Sequence, residues 1–289
     1  MKTALIEEKL GGIENLPTLP MVLRQIRKVM NNPNSNMSNI AAIVAKDQSL
    51  AARTIRLVNS AYYARRTRVP SIQQAIVVLG LTTLHNLMLG LSVVKMFQGS
   101  RLLGFNIDEF WQHSFAVALL SKKMASLPGV DIDPEESFIA GLLHDMGRLA
   151  LQQFLHDDFE KALKQSGANK TSLCSEEKNV FGFDHADAGA WLGRRWDLHE
   201  KITGVLEYHH RPFEIPSEYN RHEQLIHIVA YANDICTDES IGNSGQSVVG
   251  ERKYRGLPPR TDNEMRIKVE ETVSEVISVV EEWTQGGRR

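Results

Sequence analysis

Gly141-Leu142-Leu143-His144-Asp145-Met146-Gly147-Arg148 sets a histidine directly before an aspartate inside an apolar helical segment. A carboxylate in apolar company is costly unless a cation or a hydrogen-bond network stands beside it. A neutral imidazole and a carboxylate offer the nitrogen and oxygen donors that suit iron, manganese or zinc better than calcium. The dipeptide alone leaves two readings open, a metal ligand pair or a helix end with a satisfied histidine. The other histidines of the chain decide between them.

Composition sets the outer bounds. The chain has 289 residues, enough for one large domain or two medium ones with a substantial core. A net charge of −2 excludes the overall basic bias of a dedicated nucleic-acid binder, although it leaves room for a local basic patch. Cys174 and Cys236 stand apart with no C-x-x-C spacing, which points to a reducing compartment and away from a thiolate zinc site. The opening Met1-Lys2-Thr3-Ala4-Leu5-Ile6-Glu7-Glu8-Lys9 lacks the long apolar core of a signal peptide, so a cytoplasmic location is expected. Val69 to Val94 contains no Asp, Glu, Lys or Arg and is long enough to span a bilayer. Pro70, Gln73, Gln74, Thr82, Thr83, His85, Asn86 and Ser92 interrupt it, and Leu79-Gly80-Leu81-Thr82 reads as a helix end followed by a new cap. Two short buried helices are predicted there, not a membrane span.

The first third reads as helices throughout. Leu16-Pro17-Thr18-Leu19-Pro20 is a helix entry, and Val22, Leu23, Ile26, Val29 and Met30 follow at helical spacing. Ser38 is placed to cap a second helix, and a third runs from about Gln48 to Ala61. Ser71-Ile72-Gln73-Gln74 has the form of a capping box opening a fourth. The basic run Arg65, Arg66 and Arg68 reads as a solvated loop in preference to a phosphate contact.

Leu-Pro-x-Leu-Pro, the Asn-Pro at Asn32-Pro33, Leu50-Ala51-Ala52-Arg53, Asn59-Ser60-Ala61 and Ser71 to Gly80 occur in an order that resembles the HDOD family. These are bacterial signalling modules related to the HD metal-dependent phosphohydrolases and their HD-GYP branch. The similarity runs from about Leu16 to the C-terminus.

In the middle of the chain Glu109 and His113 sit four residues apart and project from one helix face, either as two ligands or as a plain Glu–His pair. Asp133-Pro134-Glu135-Glu136 starts the helix that leads to His144 and Asp145. Gly147 permits close backbone approach, and Arg148, one turn after His144, has the fork to hold a phosphate. Asp184 is the expected cap of another helix, with His185 at its first position. His209 and His210 close a further helix before Pro212, and adjacent residues diverge by about 100° on a helix, so both reach one centre only near its end. The resemblance to the HD-GYP pattern implies a metal set of Glu109, His113, His144, Asp145, His185, His209, His210 and Asn233. It also implies that Asp145 bridges two ions and that Arg148, where many relatives carry Lys, binds substrate; Asp145 and Arg148 would then be the catalytic residues.

Two departures bear on activity. Asn233 stands where active relatives have aspartate, with Asp234 one position on, and Arg211-Pro212-Phe213-Glu214 replaces the Gly-Tyr-Pro motif. Thr237 to Asn263 is a long loop without a period, either covering the site or merely connecting. Val269, Val273, Val276, Ile277 and Val280 define a last amphipathic helix, expected to pack back on the domain, with a homodimer interface as the alternative.

The expected protein is all-α, an N-terminal helical module (1–100) packed on an HD-like metal-binding core (101–236), followed by the loop and last helix (237–289). The resemblance implies a regulatory signal-transduction role with one or two transition-metal ions, iron or manganese before zinc. A protein partner or nucleotide ligand is expected; nucleic acid and membrane are not. The alternative is a metal-dependent phosphohydrolase acting on a nucleotide or cyclic dinucleotide.

Overall fold

A computed structural model of the chain describes residues 2–13, 18, 21–30, 37–59, 68–97, 105–243, 245, 254, 257 and 271. Every regular element among them is helical, as the apolar periodicity predicts. The described residues fall into two compact units, one within 17–99 and one within 1–16 and 100–280.

The first unit is built from α2 (Met21–Met30), α3 (Met37–Val44), α4 (Gln48–Val58), α5 (Ile72–Leu79) and α6 (Leu81–Phe97), with α1 (Lys2–Ile6) belonging to the other unit. Val22, Leu23 and Ile26 of α2, Ile40 and Val44 of α3, and Leu84, Leu87 and Met88 of α6 are buried together. The Ser71 hydroxyl accepts a bond from the Gln74 N–H (3.2 Å), the half of the expected capping box that forms. Asn59 explains its place in the sequence motif. Its side chain donates to the Val69 carbonyl (2.8 Å) and accepts from the Val69 N–H (2.7 Å), tying the chain on either side of residues 60–67. Arg65 and Arg66 lie outside the described residues, whereas Arg68 is exposed. Residues 17–99 hold ten Lys and Arg against a single acid, Asp47, a bias that the overall net charge of −2 conceals.

No single helix among the described residues is long and apolar enough to cross a membrane. α5 and α6 pass that test only as a pair, bent by 119°. The break falls at Gly80, whose positive φ of 82° glycine adopts without a steric cost.

The second unit begins with α1 and a π turn, Glu7–Gly11, which dock on α12 (His185–Arg195). Lys2 pairs with Asp187 (3.3 Å), and the Trp191 indole N–H donates to Glu7 (2.7 Å). Its body comprises α7 (Ile107–Ala125), α8 (Pro134–Leu143), α9 (Met146–Phe154), α10 (His156–Asn169), α11 (Leu173–Phe181), α12, α13 (Glu200–Tyr208) and α14 (Glu223–Asp238). α7 lies between α8 and α14, while α12 packs on α9 and α13. At the α9–α12 crossing a Cβ on Gly147 would fall 1.9 Å from the His185 carbonyl oxygen. Only glycine lets the two backbones touch there, and that contact sets His185 against His144 and Asp145. The last amphipathic helix lies outside the described residues except for Glu271, which stands 3.6 Å from Lys123 of α7.

Candidate metal centre

Local caps fix where each donor emerges. Asp133 accepts from the Glu135 and Glu136 N–H groups at the start of α8, with Pro134 in its first turn. His144 and Asp145 do not continue that helix. They form the joint between α8 and α9, with Asp145 at φ −97°, ψ 9°. The sequence reading placed them within one helical segment; the break turns both side chains toward one point. Asp184 caps α12 in a reciprocal capping box with Asp187, which leaves His185 at the first helical position as expected. Arg211, one residue beyond the paired histidines, binds Asp184 (3.3 Å) and Asp187. That clamp fastens the end of α13 to the start of α12 and so holds His209 and His210 beside His185.

Among the described residues two donor groups share Asp145. One is Asp145, His185, His209 and His210; the other is His113, His144 and Asp145; within each the donor atoms lie within 4.8 Å of one another. Asp145 Oδ1 is 3.2 Å from His185 Nε2 and 3.3 Å from His209 Nε2. Its Oδ2 is 3.6 Å from His144 Nε2 and accepts from Arg148 Nη1 at 3.1 Å. Asn233 joins through Oδ1, 2.8 Å from His113 Nε2. Asp234 is turned away and accepts from the Tyr254 hydroxyl, so the last inward position is the amide. Glu109 is half-exposed in the first turn of α7 and is not among the converging donors.

The tautomers test whether this set fits a cation. His144 Nδ1–H donates to the Gly141 carbonyl (2.6 Å), and His209 Nδ1–H is shared between the Val205 and Leu206 carbonyls (3.0 Å each). In the neutral rings each Nε2 therefore presents a bare lone pair. Both nitrogens and Asp145 Oδ1 are buried without a hydrogen-bond partner. Lone pairs facing carboxylate oxygens repel one another, and a cation among them converts that repulsion into coordination. The residues fit a bound metal ion.

Electrostatics agree. Burial brings the His144 pKa down to about 3, and burial likewise lowers His113 and, well below its usual value, His210. His185 is driven the other way. Burial opposes its charge, but the Glu177 and Asp145 carboxylates raise its pKa well above normal. As a cation it donates Nδ1–H to Glu177 (2.6 Å) and Nε2–H to His210 Nε2 (2.8 Å). Burial would raise the Asp145 carboxyl, yet the His185 cation beside it holds it well below the carboxylate range.

Arg148 is wholly buried, with its guanidinium over the rings of Phe105 (5.3 Å) and Phe110 (5.6 Å). Its Nη1 donates to Asp145 and to the Asn243 carbonyl (2.8 Å). The segment supplying that carbonyl lies over the centre: Ile241 O accepts from His113 Nδ1–H (3.1 Å) and Asn243 N–H donates to Glu109 O (3.1 Å). The sequence left open whether this segment covers the site or merely connects, and the contacts at Ile241 and Asn243 favour the first; Glu177 was missed. A Glu–Glu pair gives no sign in the sequence of which member turns inward.

A crystal structure of an HDOD domain protein of unknown function from Geobacter sulfurreducens superposes with a TM-score of 0.82, at 26% identity and 97% coverage of both chains. A candidate phosphohydrolase of Shewanella amazonensis superposes with a TM-score of 0.68 at 23% identity, covering 98% of this chain and 94% of its own. A candidate signal-transduction protein of Marinobacter aquaeolei gives 0.76 at 22% identity, covering 97% and 64%. An uncharacterised protein of Treponema pallidum is 26% identical over 76% of this chain, which spans only 42% of that relative's length. The model of the HDOD domain runs over residues 16–212, from the Leu-Pro entry to the proline after the paired histidines, and the chain belongs to the HDOD family.

Proposed function

We propose that this protein is a regulatory signal-transduction module whose helical core carries a transition-metal centre of one or two ions, iron or manganese before zinc. The observation that carries the reading is the pair of bare nitrogens, His144 Nε2 and His209 Nε2, facing Asp145 without a hydrogen between them. His113, His144, Asp145, His185, His209 and His210 would hold the ions, with Asn233 a neutral ligand beside His113. Regulation is favoured over turnover because the centre is closed. Asp145 and Arg148 are each 1% exposed, and the guanidinium that would steady a phosphate is already occupied by Asp145 and Asn243. The partner would be an acidic protein surface, which the exposed Arg24, Lys28, Arg56 and Arg68 suit, or a nucleotide ligand.

A phosphohydrolase is the second reading, favoured by one feature: the sharing of Asp145 between two donor groups. Ions bound there would supply Lewis-acid activation of water for attack at phosphorus. Arg148 would then have to leave Asn243 to orient a phosphate. Elemental analysis of protein purified without added metal, combined with a phosphodiester-hydrolysis assay, separates the readings. Metal without hydrolysis supports regulation, and metal with hydrolysis supports the enzyme. Less than about a tenth of an equivalent, with no uptake on reconstitution, refutes the metal centre.

A further inference from the structure

We propose that Glu177 is a positioning residue of the centre, holding His185 so that Nε2, and not Nδ1, is presented to Asp145, His209 and His210. The proposal rests on the metal-centre reading above. Glu177 lies on α11, eight residues before His185, and both side chains are wholly buried. Gly182, at φ 83°, ends α11 in the left-handed conformation and turns the chain so that α12 starts against the side of α11. There a single oxygen, Glu177 Oε2, accepts two bonds from one residue: the His185 backbone N–H at 2.8 Å and the ring Nδ1–H at 2.6 Å.

These two bonds differ in meaning. The backbone bond satisfies one of the open N–H groups at the start of α12, which any acceptor would do. The ring bond does more. It fixes a proton on Nδ1, locks the ring plane, and leaves Nε2 as the nitrogen that ligates once it gives up the proton it shares with His210. A carboxylate on the far nitrogen also makes the near one a stronger donor. Cys174 flanks the same ring with Sγ 3.9 Å from both nitrogens, beyond the reach of a strong bond. Its thiol is pushed up to about 11 by burial, so it stands by as a neutral group. The neighbouring Glu176 faces elsewhere and accepts from Thr171 (2.6 Å), Asn169 (3.2 Å) and Asn179 (3.1 Å). Two adjacent glutamates thus divide the work, one tying the α10–α11 turn and the other orienting a ligand.

The experiment compares Glu177→Gln, Glu177→Ala, Glu176→Gln and Cys174→Ser in the full chain. Three readouts serve: the hydrogen-bonded His185 Nδ1–H proton resonance of metal-free protein, metal affinity by chelator competition, and the Co(II) absorption spectrum. Glu177→Gln keeps an oxygen in place and should lower affinity roughly tenfold, and Glu177→Ala about 100-fold, with an altered Co(II) spectrum. The Nδ1–H resonance should disappear in Glu177→Ala. Glu176→Gln should lower the melting temperature and leave affinity and spectrum unchanged. Parental affinity and spectrum in Glu177→Ala would overturn the proposal while leaving the metal centre standing. Equal metal loss in Cys174→Ser would also overturn it, because Cys174, Glu177 and His185 would then hold an ion themselves. A parent that takes up no metal refutes both the centre and the role of Glu177.

Discussion

Gly242→Ala tests whether the segment from Ile241 to Asn243 closes the centre. Gly242 has φ +65°, and a Cβ there would lie 2.3 Å from the Glu109 carbonyl oxygen and 2.5 Å from the His113 backbone nitrogen. Both obstacles are backbone atoms of α7, so no rotamer change relieves the overlap. A left-handed alanine costs about 1–2 kcal/mol, and an overpacked contact adds about 1–3 kcal/mol. Against this stand three bonds of 3.1 Å or less from the segment to α7 and α9: Ile241 O to His113, Asn243 N–H to Glu109, and Asn243 O to Arg148. Two neutral bonds and one to a charged group contribute about 2.5–6 kcal/mol in all. A strain of about 3 kcal/mol therefore shifts the closed-to-open ratio roughly 100-fold without dislodging the segment completely. Hydrogen exchange reads this directly. Protection of the Asn243 amide should fall by about two orders of magnitude while the α7, α8 and α12 amides keep theirs. If the segment seals the centre, a chelator should also strip metal faster from the variant. Unchanged protection at Asn243 would refute the strain argument. Joint loss of protection in α7 and α14 would show that the segment is part of the core and not a cover.

Other expectations follow from the same geometry. His144→Ala and Asp145→Asn should each remove metal and leave the helical circular dichroism intact. Asp145→Ala should cost about 3–5 kcal/mol in addition, because it strands the buried Arg148 charge; equal melting of the Ala and Asn variants would contradict this. Asn233→Asp places a carboxylate beside His113 Nε2 and should raise metal per chain, whereas Asp234→Ala breaks the bond to Tyr254 and should leave metal per chain unchanged. Metal loss in Asp234→Ala with none gained in Asn233→Asp would reverse that assignment. With His144 lowered to about 3, and His113 and His210 lowered too, His185 is the ring that enters coordination carrying a displaceable proton. A proton competes with the ion, so affinity should rise with pH, about tenfold per unit, until pH passes the raised His185 value. Near neutrality about one proton should be released per ion bound at His185. Calorimetry in buffers of different ionisation enthalpy measures this, and a release of zero would rule it out.

Much of the centre was legible in the chain itself. Helix periodicity, the caps at Asp133 and Asp184, and the helix end at His209 are short-range signals, each decided within a few residues by backbone hydrogen bonding. They sufficed to set His185 on a first turn and the paired histidines at a terminus. Other features depend on partners far away in sequence. His113 meets Ile241 across 128 residues and Arg148 meets Asn243 across 95, so no local pattern reveals that the arginine is enclosed. Glu109 and Glu177 show the same limit from opposite sides. Helical spacing made Glu109 a natural ligand, but the first turn of α7 leaves it half-exposed outside the converging donors. Glu177 carried no signal, yet Gly182 folds α11 back so that its carboxylate meets the far side of the His185 ring. Periodicity assigns a residue to a face of its own helix; which face meets the centre is set by how the helices cross, as at Gly147, where two backbones approach too closely for any side chain.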